Sequence, residues 1–157
     1  MLNTRLLLIS RHDILSVMNE DTEGRTVRLL TSLTRQGFHL LATAPQPEQW
    51  AGEHGSPDDA LLGANSIRKR LSDAGGILDG VYYVRRSLLT KKRNREDALR
   101  EILQRYDAKP GHCVLLSSKR NFVKAARKMG LQATLLDADH QLMQELSNLN
   151  DLLVDDA

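Results

Sequence analysis

The sequence predicts an α/β fold in which helices cover both faces of a parallel sheet of about five strands. Short aliphatic runs alternate along the whole chain with longer segments whose apolar residues recur at helical spacing. Glycine and proline residues separate most of these segments, as expected when strands and helices alternate. Because 157 residues match the size of one domain, we expect a core at about residues 5–137, a C-terminal helix at 138–152 and a frayed acidic tail at 153–157.

The first strand is predicted at residues 5–10, where an aliphatic run ends in a short polar turn that carries Ser10, His12 and Asp13. A parallel α/β sheet places its ligands and its chemistry at this edge, where the strands end. A helix is predicted next at residues 22–36, because valine and leucine recur there at helical spacing and a glycine follows directly.

The second and third strands are separated by a long segment that contains one helix. Residues 38–43 form the second strand, and the following Ala-Pro-Gln-Pro ends it because proline cannot donate a hydrogen bond to a neighbouring strand. A loop is predicted at 50–56 and a helix at 57–74. A Gly-Gly pair closes that helix, and residues 78–84 form the third strand.

The second half of the chain continues the same alternation. A basic connection at 85–95 leads into an amphipathic helix at 96–106, and Lys-Pro-Gly then turns the chain into a fourth strand at 113–116. A helix at 119–129 and a fifth strand at 132–136 complete the predicted core.

The composition disfavours several classes of protein. The net charge is only +2, and aromatic residues make up 4% of the chain, so neither a bulk field nor base stacking predicts nucleic acid as the ligand. The single cysteine, Cys113, excludes an internal disulfide and lies in an apolar run that predicts a buried thiol. No apolar stretch approaches the ~20 residues that span a bilayer and no signal-peptide cleavage site is evident, so we expect a cytoplasmic protein that does not contact the membrane.

Three segments, at residues 36–43, 78–83 and 125–131, occur in a characteristic order and spacing. Together they resemble the haloacid dehalogenase superfamily, and within it the capless branch of histidinol phosphatases and heptose bisphosphate phosphatases. The resemblance covers roughly residues 5–137. It implies a three-layer α/β/α Rossmann-like fold without a cap domain, and it implies hydrolysis of phosphate esters with Mg²⁺.

The catalytic positions implied by the resemblance carry other residues in this chain. Ser10 stands at the position of the nucleophilic aspartate and His12 at that of the general acid/base, with Asp13 where a glycine is usual. The two acidic residues that would hold magnesium after the fourth strand correspond best to Ser118 and Phe122. A carboxylate is needed in this chemistry because it is both an anionic nucleophile and a magnesium ligand, so we expect no conventional catalytic residue and no metal site.

Two further motifs of the family are partly retained. Thr43 matches the hydroxyl residue that contacts the phosphoryl group, although Ala-Pro-Gln follows it where the branch resembles Asn-Gln-Ser. The cation that neutralises the phosphoryl charge falls within Lys91, Lys92 and Arg93, and the sequence does not fix which of them takes that position. The connection at 84–88 has no cysteine or histidine, so a zinc loop is not expected.

Basic residues are concentrated in the two connections that follow the third and fourth predicted strands. Because both connections lie at the carboxyl edge of a parallel sheet, we expect their cations to form a metal-free anion-binding pocket. The alternative is a solvated basic face whose charge is offset by acids elsewhere. The residues expected to contact the anion are Thr43, Lys92, Arg93, Ser118, Lys119 and Arg120.

These observations lead to two hypotheses on function. The first, which we favour, is a protein that has lost catalysis and works by binding, without a cofactor. Its ligand is a phosphate-containing small molecule, a nucleic acid or other polyanion, or a protein partner. The second is a phosphatase of small phosphorylated metabolites that uses Mg²⁺ with atypical residues. In a hydrolase, Ser10 could be activated by His12. Asp13 in a slipped register is a further option, but Leu15 stands where its magnesium partner would be needed.

Overall fold

Five parallel strands form the single sheet of this computed structural model, which describes residues 4–45, 67–85 and 91–155. The strands are β1 (Arg5–Ser10), β2 (Phe38–Pro45), β3 (Gly80–Val84), β4 (Cys113–Ser117) and β5 (Gln132–Leu135). They lie in the order β3-β2-β1-β4-β5, and every neighbouring pair is parallel. All five predicted strands are therefore present, and the carboxyl ends of β1, β2, β3 and β4 lie along one edge.

In the described residues, six α-helices connect and cover the strands. They are α1 (Arg11–Glu20), α2 (Arg25–Arg35), α3 over residues 67–73, α4 (Lys91–Arg105), α5 (Arg120–Lys128) and α6 (Leu142–Asp155). The predicted loop at 50–56 and the first part of the helix predicted at 57–74 lie outside the described residues.

The two faces of the sheet pack into two separate apolar clusters because successive side chains of a strand point to opposite faces. Leu7 and Ile9 of β1 join the cluster formed with α1, α2, α3 and α6. Leu6 and Leu8 join the cluster formed with α4 and α5, which also contains the buried Cys113 thiol predicted from the sequence. The strand is apolar on both faces because it is the middle strand of a three-layer structure.

Helix α1 is the main departure from the sequence prediction. Residues after Ser10 do not form a polar turn, because they enter a helix at once. Its two buried residues, Ile14 and Met18, are four positions apart and hold one face of the helix on the core. Helix α2 then begins at Arg25 rather than at residue 22, after Gly24 with a left-handed φ of 71°.

Several other boundaries differ from the predictions. Strand β2 continues through Pro45, which aligns with Val84 on β3. Helix α4 includes residues 91–95, so this part of the predicted basic connection is helical, and residues 86–90 lie outside the described residues. Helix α6 begins four residues late, because the carboxylate of Asp137 accepts the N–H groups of residues 139 and 140 in a turn. The same helix continues to Asp155, so residues 153–155 of the tail that was expected to fray are helical.

Across the part of the chain that the structure describes, no helix combines the length and the apolar character that crossing a membrane requires.

Candidate anion-binding site

An open groove of about 940 Å³ runs along the carboxyl edge of the sheet. It receives residues from the ends of β1, β2 and β3, from the first turns of α1 and α5, and from α4. The lining residues are Ser10, Arg11, His12, Thr43, Ala44, Pro45, Val84, Arg85, Arg95, Lys119, Arg120, Asn121 and Phe122.

The groove is strongly cationic. Its lining includes Arg11, Arg85, Arg95, Lys119 and Arg120, and no acidic residue lines it within the described ranges. Helices α1 and α5 both begin at this edge, and no side chain caps the first turn of either helix. Because free N–H groups at a helix N-terminus favour negative charge, the backbone adds to the attraction that the side chains exert on an anion.

Three acidic residues on the neighbouring helices α1 and α4 have partners outside the groove. On α4, Glu96 contacts Lys128 at 3.2 Å and Asp97 contacts Arg100 at 2.9 Å. On α1, Asp13 Oδ2 accepts the backbone N–H of residue 118 at 2.9 Å. The positive charge of the groove is therefore not neutralised by these three carboxylates.

Two serine hydroxyls form a hydrogen bond between the end of β1 and the end of β4. Ser10 Oγ lies 2.6 Å from Ser117 Oγ, and the two residues are only 6% and 0% exposed. Ser117 Oγ also accepts the N–H of Lys119 at 3.0 Å. The hydroxyl at the end of β1 is thus joined to the end of β4, and through it to the start of the loop that carries the cations.

Asp13 and Ser118 lie at a second cavity and not in the cationic groove. That cavity, of about 580 Å³, lies between α1 and the connection from β5 to α6. Its lining includes Asp21 and Asp137, whose pKa values are held below the ordinary range chiefly by backbone N–H groups of Thr26 and His140, respectively. The expectation that Ser118 lines the anion pocket is therefore not met by the geometry.

His12 cannot pair with Ser10 in the way the sequence suggested. The prediction assumed that both residues lie on one extended strand, whereas His12 is an exposed residue of α1. Both side chains line the groove, but the Ser10 hydroxyl is engaged with Ser117.

The remaining residues expected to contact an anion divide into two groups. Thr43, Lys119 and Arg120 line the groove, with Thr43 buried at its floor. Arg93 is exposed on α4 and is absent from the lining, and the side chain of Lys92 lies outside the described residues.

Arg85 and Arg95 belong to the basic connection that the sequence placed at this edge, although they were not among the residues expected to contact the anion, and Arg11 was not predicted. Arg11 directly follows the β1 strand, Arg85 directly follows β3, and Arg95 lies two residues beyond Arg93 on α4. The Asn94 side chain donates to the backbone carbonyl of Arg85 at 3.3 Å, which attaches α4 to the end of β3. A basic residue directly after each strand was the signal available for Arg11 and Arg85.

No protein-family model and no curated protein matches this chain. Solved structures do match it. A D,D-heptose 1,7-bisphosphate phosphatase from B. bronchiseptica, complexed with magnesium and phosphate, superposes with a TM-score of 0.72 at 15% identity, covering 98% of this chain and 100% of that one.

Two further structures agree with this match. A putative HAD-like phosphatase from Mesorhizobium loti gives a TM-score of 0.62 at 13% identity and covers 98% of this chain and 88% of its own. An uncharacterised protein from Corynebacterium glutamicum gives 0.62 at 19% identity, with 95% and 96% covered. The chain therefore has the haloacid dehalogenase-like fold, a Rossmann-like parallel α/β structure, and the predicted fold is confirmed.

The residues at the carboxyl edge do not fit the Mg²⁺ that this fold holds in the bisphosphatase structure. Magnesium binds through carboxylate and other oxygen ligands in octahedral geometry. Here Phe122 is buried in the apolar cluster, and Lys119 and Arg120 add positive charge. Within the described residues, no group of three histidine, cysteine, aspartate or glutamate side chains could hold a metal.

Proposed function

We propose that this protein is a catalytically degenerate relative of the haloacid dehalogenase-like phosphatases that binds a phosphate-containing ligand in the cationic groove. The observation that carries the proposal is a groove with five cations and no carboxylate along its described lining, in which Ser10 is paired with Ser117. The groove keeps the charge that attracts a phosphoryl group, but its residues do not supply the groups that would cleave it.

The argument against catalysis rests on the protonation state and the environment of Ser10. A serine hydroxyl is neutral at pH 7, so it must lose its proton to a base before it can attack phosphorus. The described neighbour within hydrogen-bonding distance of Ser10 Oγ is another hydroxyl, Ser117 Oγ, which is not a base at neutral pH. The nearest carboxylate in sequence, Asp13, accepts the N–H of residue 118.

The argument for binding rests on charge and on shape. Arginine binds phosphate with two parallel N–H donors, and each charge-assisted hydrogen bond is about twice as strong as a neutral one. The groove offers four arginines and one lysine, together with the Thr43 hydroxyl. Its volume of about 940 Å³ lies within the range typical of small-molecule sites.

Calorimetric titration of the full chain with inorganic phosphate and with pyrophosphate tests binding. We expect measurable affinity that falls at least about tenfold in the double variant Lys119→Gln/Arg120→Gln, because each charge-assisted contact contributes about 1.5–3 kcal/mol. Lys124→Gln is the matched control, since Lys124 is exposed on the same helix and is absent from the groove lining. Affinity that is absent, or that is unchanged in the double variant, would refute the proposal.

An assay of p-nitrophenyl phosphate with added magnesium tests the loss of catalysis. We expect no turnover above the rate in buffer. Turnover that disappears in Ser10→Ala or in Asp13→Ala would overturn the proposal in favour of a phosphatase with atypical residues.

That phosphatase is the second candidate function. It is supported by the likeness to two structures named as phosphatases and by the presence of Thr43, Ser10 and His12 along one groove. It requires bound magnesium, so a calorimetric titration with MgCl₂ alone separates the two candidates. Stoichiometric binding would favour the phosphatase.

A further inference from the structure

We infer that the cationic groove selects a diphosphate group in its metal-free form, over a single phosphate and over the magnesium complex of the same diphosphate. This inference rests on the proposed function and adds the charge and the metal state of the ligand. It follows from the number of cations, from their distribution along the sheet edge and from the engagement of the nearby carboxylates.

The number of cations exceeds what one phosphate can neutralise. A phosphate monoester carries a charge of about −1.5 to −2 at pH 7, whereas Arg85, Arg95, Lys119 and Arg120 alone bring four positive charges to the groove. Positive charges that remain uncompensated in a partly enclosed groove repel one another. A diphosphate offers more negative charge and more acceptor oxygens, and it therefore matches this surplus better.

The cations also come from separate strand ends along the sheet edge. Arg85 follows β3, whereas Lys119 and Arg120 follow β4, and the order β3-β2-β1-β4 puts two strands between them. Neighbouring strands lie about 4.8 Å apart, so the ends of β3 and β4 are separated by roughly 14 Å. Arg11 follows β1 and so lies between these extremes. Cations that come from different strand ends can therefore contact different phosphoryl groups of one ligand.

The metal state follows from the carboxylates near the groove. A phosphate-bound Mg²⁺ is normally held by one or two carboxylates in addition to waters and phosphate oxygens. Three of the acidic residues on adjoining helices, Asp13, Glu96 and Asp97, have the partners described above. No acidic residue of α1 or α4 is among the described lining residues. Magnesium would bring two positive charges into a cationic groove and would occupy oxygens that the arginines bind, so it should weaken binding.

One wall of the groove accepts the organic part of such a ligand. Ala44, Pro45 and Val84 come from the adjacent ends of β2 and β3 and present apolar surface beside Arg85. A free diphosphate and a nucleoside diphosphate carry the same group, and the cations recognise this group in both.

Calorimetric titration of the full chain with inorganic phosphate, pyrophosphate and ADP tests the inference. Each ligand is used in EDTA and again in excess MgCl₂, with ionic strength matched by NaCl so that screening is the same. We expect pyrophosphate to bind at least tenfold more tightly than phosphate in EDTA, and we expect magnesium to weaken pyrophosphate binding at least fivefold. Tighter binding of ADP than of pyrophosphate assigns the apolar wall to the nucleoside, and equal affinities assign recognition to the diphosphate alone.

Variants at the two ends of the cation row distinguish recognition of a diphosphate from recognition of a single phosphate. Arg85→Gln and Arg120→Gln should each weaken pyrophosphate binding by a larger factor than they weaken phosphate binding, with Lys124→Gln as the control for charge. Equal affinities for phosphate and pyrophosphate, or tighter binding in the presence of magnesium, would overturn this inference while the proposed function stands. Failure of every anion to bind would overturn both.

Discussion

The hydrogen bond between Ser10 and Ser117 can be measured by a double-mutant cycle. Ser117→Ala removes the acceptor of the Lys119 N–H and leaves the buried Ser10 hydroxyl without the partner that lies 2.6 Å away. An unsatisfied buried hydroxyl costs about 1–3 kcal/mol, and a lost hydrogen bond near the surface costs about 0.5–1.5 kcal/mol. The free energy of unfolding should therefore fall by about 2–4 kcal/mol.

The other arms of the cycle follow from the same contacts. Ser10→Ala leaves Ser117 with the Lys119 N–H, so its cost should be smaller, about 1–2 kcal/mol. The double variant leaves no buried hydroxyl without a partner at this position. Replacement of both partners of a hydrogen bond by apolar groups can be nearly neutral. Its cost should therefore be at least about 1 kcal/mol less than the sum of the two single costs.

Urea unfolding followed by circular dichroism gives these free energies, provided that the slope against urea is the same in all four proteins. Ser72→Ala is the control, since Ser72 is exposed on α3 and its replacement should change stability by less than about 0.5 kcal/mol. Costs of Ser10→Ala and Ser117→Ala that add to within about 0.3 kcal/mol would show that the two hydroxyls do not interact, and would refute the described pairing.

Three further predictions concern the rest of the fold. Burial raises the pKa of the Cys113 thiol to about 11, so iodoacetamide at about pH 8 should label the chain only in urea, and rapid labelling of the native protein would contradict this burial. In Gly76→Ala the new Cβ would lie 2.8 Å from Thr31 Oγ1 and 3.1 Å from Thr31 Cα, which should lower the free energy of unfolding by about 1–3 kcal/mol in urea titrations; an unchanged midpoint would contradict the close approach. The Thr26 N–H holds the pKa of the Asp21 carboxyl below its ordinary 3.8, so the carboxylate stabilises the fold fully above that pH and loses this effect as the pH falls through the lower, folded value. The stability advantage over Asp21→Asn should accordingly shrink in acid, as thermal melts across pH would show, and an advantage that is independent of pH would contradict it.

The order of strands and helices was predictable because it depends on strong local patterns. The strand β1 is apolar on both faces, and the basic and polar residues that follow each strand mark the carboxyl edge. Helix α1 was missed because it is only ten residues long and buries two side chains, while its first turn, Arg-His-Asp, resembles the polar turn that often ends a strand. Short helices with a polar start give a weak periodic signal.

The composition of the site was harder to predict than its location. The sequence placed cations at the correct edge, but it selected Arg93, whereas Arg95 lines the groove. Two residues correspond to about 200° around a helix, so these side chains lie on nearly opposite faces of α4. The helix was predicted to begin at residue 96, whereas α4 already includes residues 91–95. The sequence therefore did not show which of Arg93 and Arg95 faces the groove.

The ends of β1 and β4 are joined by a neutral contact between two hydroxyls. A metal site at these strand ends would hold them together, but its clustered carboxylates would repel one another whenever the metal is absent. Ser10 and Ser117 join the same two ends with one neutral hydrogen bond, so the connection between the central strands needs no ion. Under the proposed function, a multiply charged anion balances Arg85, Arg95, Lys119 and Arg120, because no carboxylate is among the described lining residues of the groove. The same sheet edge then combines a neutral connection between its central strands with the cations that determine the charge of the ligand.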